Sequence, residues 1–333
     1  MLKIKEYDLE SLNANLDTKI KKIDDLIKTD LKKLSTIDVV KPFFTDLLKI
    51  VDFDSDFSFI KAPLSIIGKL KEINTKIKIC NIKQFNSKLS LPKSSFAQKE
   101  ITADFTFNNI IEHIFGYYLE SRTQILKKIF RQINSQNCVY CLAQYTTSYS
   151  VNNGKIYVKG NLDHIHPKSI NALVSLSVNN LVPVCAHCNQ RKLDADSSKF
   201  NFNPFDSEDT PVFKFKNVIT ISNGDVQFKD IQDLKIDNIN PTLEKRLELT
   251  SLYKEYRSPI ENLLERYRKF NSSSYKEQIQ KLSKNGISDN LEYFISETPY
   301  TDGNIQNIPL HKFKSDFYRE LEEYKKSGEI KLS

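Results

Sequence analysis

Two pairs of cysteines carry the most distinctive chemistry in this chain. Cys138-Val139-Tyr140-Cys141 and Cys185-Ala186-His187-Cys188 are CxxC knuckles with 43 residues between them. A two-residue gap lets both sulfurs of a knuckle face one centre, and two knuckles complete a tetrahedral four-thiolate zinc site. Four thiolates leave the ion no open position, so one such zinc per chain is structural. Its binding energy becomes folding energy for a segment too small to hold a large core. A redox dithiol would need a thioredoxin-like βαβ frame, and neither pair has one. The fifth cysteine, Cys80, has no partner nearby in the sequence and reads as a buried core residue.

Between the knuckles runs Asn161-Leu162-Asp163-His164-Ile165-His166-Pro167-Lys168-Ser169, then Asn179-Asn180-Leu181-Val182-Pro183-Val184. The second knuckle is followed directly by Asn189-Gln190-Arg191-Lys192. Over residues 138–192 this order resembles the HNH endonucleases of the ββα-metal (His-Me finger) superfamily. In that family an acid-His-Ile stands near a proline, an Asn-Leu follows, and a CxxC leads into Asn or His and a basic pair.

The resemblance implies a catalytic set of His164, Asp163, Asn180 and Asn189. His164, at the end of the first strand, would be the general base, since imidazole titrates near operating pH. Asp163 and Asn189 would each supply a hard oxygen to a divalent ion, Mg²⁺ or Mn²⁺, leaving room for water and phosphate. Asn180 would brace the loop and orient His164 rather than bind metal. Lys168, Arg191 and Lys192 would meet nucleic-acid phosphates. The activity implied is metal-dependent hydrolysis of phosphodiester bonds in DNA, leaving 5′-phosphate and 3′-hydroxyl ends. The family's range takes in restriction and anti-phage defence. RNA is the alternative substrate, and a zinc-knuckle module that binds nucleic acid without cutting it is the alternative function.

The remaining histidines read more plainly. His166, two residues past the base, is a candidate to assist a phosphate or a metal. His187 lies two residues before Asn189, so on a helix it points about 200° away from it and is expected at the surface or behind the site. His113 and His311 read as structural.

The charge distribution supports a polyanionic partner. The net charge of +7 conceals a belt: residues 61–200 hold nineteen basic and eight acidic side chains, while residues 1–60 and 201–333 each carry a net −2. Within 121–193 there are nine basic residues and one acid, Asp163. With 39% hydrophobic and 27% charged residues the composition is that of a globular protein, which excludes a disordered tail. No apolar run reaches the 18 or so residues of a membrane span, and the start lacks the apolar core of a secretory signal, so a cytoplasmic protein without a membrane partner is expected.

The elements that must hold these residues follow from hydrophobic periodicity. Leu9, Leu12, Leu16, Ile20, Ile23, Ile27, Leu31 and Leu34 form one stripe of an amphipathic helix. Lys41 to Ile50 and Pro63 to Ile79 are predicted helices, Asn86 to Ser95 a linker, and Phe107 to Ile133 a long helix leading to the first knuckle. Tyr145 to Val151 and Lys155 to Lys159 flank Asn152-Asn153-Gly154, and Val212 to Ser222 and Val226 to Ile231 flank Asn223-Gly224, two hairpin signals. Helices resume from Pro241, with the last over Leu310 to Lys326.

The expected fold class is α+β, a mostly helical chain around a zinc-stapled ββα-metal core. Three regions are expected: a helical 1–95 suited to a regulatory partner or self-association, a nuclease core with its lead-in helix at 100–205, and a hairpin-plus-helix region at 206–333.

Overall fold

The computed structural model describes residues 14–89, 105–132, 136–151, 155–193, 195, 211–282 and 308–331. It is a mixed α and β structure whose strands form small antiparallel pairs. Among the described residues no helix is long and apolar enough to cross a membrane.

The first helix, α1 (Ala14–Leu34), buries Leu16, Ile20, Ile23, Ile27, Leu31 and Leu34 on one face. That is the stripe expected from spacing; Leu9 and Leu12 lie outside the described residues. α2 (Lys41–Leu48) starts with Pro42 in its first turn, where a missing N–H costs nothing. α3 (Leu64–Leu70) stops well short of the expected Ile79. Asn74 ends any continuation, because its side chain accepts the backbone N–H of Lys76 and offers the chain a turn instead of a helix.

The expected linker also begins later than Asn86: α4 (Ile82–Lys88) is capped by Asn81, whose side chain accepts from Lys83 N–H at 3.1 Å. The rest of that segment lies outside the described residues. Cys80 does not take the buried position expected of it. It is exposed, because Ile79 turns inward beside Phe105 in an extended segment and successive side chains alternate. α5 (Phe107–Gln132) runs from this core to the first knuckle.

The central segment contains two strand pairs. β1 (Ser148–Ser150) pairs with β2 (Ile156–Val158), and β3 (Asn161–His164) pairs with β4 (Leu181–Val184). Gly160 joins β2 to β3 at φ 115°, and a Cβ there would stand 2.9 Å from the Val184 carbonyl oxygen, so only glycine fits the turn. α6 (Ala186–Lys192) follows β4 directly.

The stretch Val212 to Ser222, expected as one strand, is split. β5 (Val212–Lys214) pairs with β8 (Lys235–Asp237), while β6 (Ile219–Ser222) pairs with β7 (Asp225–Phe228). The break is a turn closed by Val218 N–H donating to the Phe215 carbonyl at 2.7 Å. Asn223 and Gly224 both have positive φ, 52° and 86°, as a two-residue hairpin requires.

Among the described residues four helices then follow: α7 (Pro241–Leu247), α8 (Leu249–Lys254), α9 (Arg257–Asn271) and α10 (Ser273–Leu282). A last helix, α11 (His311–Lys326), packs on β5 and α9.

The buried apolar residues sort into two clusters. One joins α1–α5 to residues 172–178. The other joins both knuckles, Ile165 and β4 to residues 213–330. The segment between the knuckles therefore contributes to both cores, its loop to the first and its strands to the second.

Candidate active site and metal centre

The two knuckles converge because β4 lies between them. Val139 N–H donates to the Pro183 carbonyl at 3.2 Å, which pins the first knuckle to β4, and Cys185 ends β4 and caps α6. Leu142, at φ 56°, closes the first knuckle by donating to the Cys138 carbonyl at 2.9 Å. From the C-terminal region, the Tyr253 hydroxyl donates to the Cys141 carbonyl and Leu310 N–H donates to that of Leu142.

All four sulfurs are buried and lie within 4.8 Å of one another, with Cys141 Sγ 3.9 Å from Cys185 Sγ. A disulfide needs about 2.05 Å, whereas sulfurs about 2.3 Å from a tetrahedral zinc stand about 3.8 Å apart. The spacing suits zinc. Contacts with the neighbouring sulfurs, Cys138 first, push the Cys188 and Cys141 thiols well above their ordinary range, and the same neighbours pull Cys185 down. Four thiolates crowded together out of water need a cation among them.

The β3–β4 ladder sets Asp163 opposite Val182 and His164 opposite Leu181. Strand alternation sends these two side chains to opposite faces, and their partners differ accordingly. His164 Nε2 lies 3.0 Å from the Ser175 carbonyl oxygen. A carbonyl only accepts, so Nε2 carries the proton and the lone pair of neutral His164 sits on Nδ1.

Asp163 is buried, and its Oδ2 accepts from the Tyr140 hydroxyl at 2.7 Å and faces Lys192 Nζ at 2.9 Å. Burial raises the Asp163 carboxyl above its usual range, and Lys192 works against that rise. Lys192 also donates to the His164 carbonyl at 2.7 Å, so one ammonium ties α6 to both residues of the strand end.

This corrects the expectation that Lys192 meets phosphate. Its side chain is 0% exposed, because a carboxylate taken out of water requires a cation and this one reaches it from the end of α6. Arg191 forms an ion pair with Glu248. Lys168 stays at the surface, 3.1 Å from Glu112. Asn189 stands half-buried on α6, one turn before Lys192 and on the same side of the helix. Asp163 and Asn189 stand on elements that touch, β3 and α6.

Asn180 is fully buried, and its side chain holds the loop. Its Oδ1 accepts from His166 N–H at 2.8 Å, and its Nδ2 donates to the carbonyls of His166 and Val174 at 3.0 and 3.1 Å. The imidazole of His164 is oriented by Ser175 instead. His166 is half-buried beside this network, His187 is exposed, and His311 is buried at the start of α11. His113 lies half-buried on α5.

The N-terminal helices grip the same loop. Asn108 of α5 donates to the carbonyls of Lys168 and Ser169 and accepts from Ala172 N–H at 2.7 Å. Asn171 donates to the Leu70 and Lys71 carbonyls, and Ser177 and Asn179 both donate to that of Ala62. Ser175, Tyr140 and Asn108 were not among the residues singled out by sequence. A backbone carbonyl leaves no signature in a side-chain pattern, and the other two sit among ordinary polar and aromatic positions.

Residues 138–194 match the family model described as HNH endonuclease. No curated protein and no solved structure matches the chain. The matched segment carries the paired strands between its two knuckles and the short helix on which the second knuckle lies. Residues 138–194 are an HNH endonuclease domain whose four cysteines stand together as a cluster that could hold a metal ion.

Proposed function

We propose that the protein is a metal-dependent endonuclease that hydrolyses phosphodiester bonds in DNA, with His164 as the general base. The observation that carries this is the contact of His164 Nε2 with the Ser175 carbonyl. It leaves Nδ1 as the basic nitrogen on a strand end next to Asp163, inside an HNH domain. His164 Nδ1 takes a proton from water as the water oxygen bonds to phosphorus. The bond from phosphorus to the 3′ oxygen breaks, leaving a 5′-phosphate and, once that oxygen gains a proton, a 3′-hydroxyl. General-base help of this kind is worth about 10²–10⁴-fold.

Asp163 and Asn189 would hold one divalent ion, Mg²⁺ or Mn²⁺, and such an ion supplies charge stabilisation for the leaving oxygen. Tyr140 and Lys192 fix the Asp163 carboxylate in place. Zinc on Cys138, Cys141, Cys185 and Cys188 would hold α6, and with it Asn189, against β3. Lys168 and Arg191 are the proposed phosphate contacts, with the basic belt of residues 61–200 drawing in the polyanion.

Incubating the protein with supercoiled plasmid, single-stranded DNA and structured RNA, each with and without Mg²⁺, tests the proposal. Mg²⁺-dependent nicking of the plasmid is the expected result. Cleavage of RNA alone would overturn the choice of DNA. Salt-sensitive binding with no cleavage under any divalent ion would overturn the enzymatic reading in favour of a binding module.

A further inference from the structure

The β1–β2 hairpin precedes the catalytic strand and is not accounted for by the chemistry above. Its inner face packs against α5, with Ile156 buried. Its outer face carries a different set of side chains. Tyr149 and Tyr157 are directly opposite each other across the ladder, 57% and 38% exposed. Their rings lie nearly parallel, at 14°, with centroids 5.5 Å apart.

Lysines flank the pair along β2. Lys155 Nζ sits 5.1 Å from the centre of the Tyr157 ring. Lys159 continues the ladder through its N–H to the Thr147 carbonyl, at 2.7 Å, so alternation keeps it on the tyrosine face. No acidic residue occurs anywhere between Ser121 and Leu162.

The plain role for such a pair is hairpin stability. That role does not require both rings to be left in water, nor a lysine on either side. A solvent-facing tyrosine pair among cations, with the outer side of the more exposed Tyr149 ring available, is the kind of surface on which unpaired bases stack while the lysines meet the backbone. The occupant is also tied to the active site. His164 follows Tyr157 by seven positions, at most about 23 Å of extended chain, and the turn between them is fixed by Gly160. A strand lying on the tyrosines is a few nucleotides from the general base.

We propose that the outer face of the β1–β2 hairpin is a stacking platform for an unpaired stretch of the nucleic-acid substrate, an inference that rests on the proposed nuclease function. The bases are held by Tyr149 and Tyr157 and the phosphates by Lys155 and Lys159. Stacking is indifferent to sugar type, so the platform takes single-stranded DNA or RNA in preference to a duplex, whose base faces are already stacked.

The 333-residue chain contains no tryptophan, so Tyr149→Trp introduces one reporter at the platform. In a His164→Ala background with no divalent ion added, so that cleavage is minimal, its fluorescence should be quenched by single-stranded oligonucleotides and remain unchanged with a blunt duplex. Without the reporter, Tyr149→Thr with Tyr157→Thr keeps strand-favouring residues and should weaken single-strand binding about tenfold or more, leaving duplex binding within twofold. Tyr149→Phe with Tyr157→Phe should bind as the parent does, since stacking needs no hydroxyl. An unquenched tryptophan together with unchanged single-strand affinity in the threonine variant would overturn the platform while leaving the nuclease reading intact. Absence of any nucleic-acid binding by the parent protein would overturn both.

Discussion

The ammonium of Lys192 stands 2.9 Å from the carboxylate of Asp163, with side-chain exposures of 0% and 8%. A charge pair withdrawn from water this far gains little net stability from its formation, but breaking it leaves the surviving charge buried and alone. Lys192→Met should therefore destabilise the protein by about 3–5 kcal/mol, read from the midpoint of urea unfolding. Adding Asp163→Leu should return much of that loss without restoring activity. A Lys192→Met protein as stable as wild type would mean that the pair does not form.

A zinc ion held by the four-cysteine cluster would make the fold metal-dependent. Cys188→Ser should lose the bound zinc, about one per chain, measured by elemental analysis. Thermal stability should fall with it, since ligand binding here is folding energy. Strong chelators should have the same effect on wild type. Retention of full zinc by Cys188→Ser would mean that the four sulfurs do not share an ion.

Asn108 lies on α5, yet its side chain makes three hydrogen bonds to loop 168–172. Ser175, which holds the His164 imidazole, follows three residues after that loop. Asn108→Ala leaves buried backbone groups without partners, at a cost of about 1–3 kcal/mol. If His164 is the base, the change displaces it rather than the substrate, so kcat should fall while KM holds. A stable variant with unchanged kcat would show that the helical region does not set the loop.

The two cores should respond to acid in opposite directions. Burial pushes Asp24, on α1, from 3.8 up to about 6. Its folded form then holds a proton more tightly than its unfolded form, so the N-terminal core gains stability as pH falls from about 6 toward 4. Burial, aided by Lys314 and Lys312, lowers His311 from 6.5 to about 4. Its contribution is intact above the unfolded pKa and is lost as pH falls through the same window. Segment-resolved amide hydrogen exchange, corrected for intrinsic rates, should show the two trends. Asp24→Asn should flatten the first trend and His311→Gln the second.

What could be read from the sequence divides along physical lines. The knuckles were legible because their chemistry depends on spacing of two residues, and the α1 stripe because burial of one helix face repeats at fixed intervals. The Asn223-Gly224 turn was legible because two positive φ angles demand those residue types. Lys192 was misread because Arg191-Lys192 looks like a surface pair until a buried carboxylate is known to lie beneath it. Val212 to Ser222 read as one strand because its apolar residues continue through Phe215 and Val218, which bury on either side of a turn. Ser175 could not be found at all, since its part in the site belongs to its backbone oxygen.

The most direct measurement is Mg²⁺-dependent nicking of supercoiled plasmid by His164→Ala, with bound zinc measured on the same sample. A neutral His164 with its lone pair on Nδ1 as the base predicts a fall of about 10²–10⁴-fold in rate, with zinc content and thermal stability unchanged. Cleavage by His164→Ala at the wild-type rate would contradict the assignment.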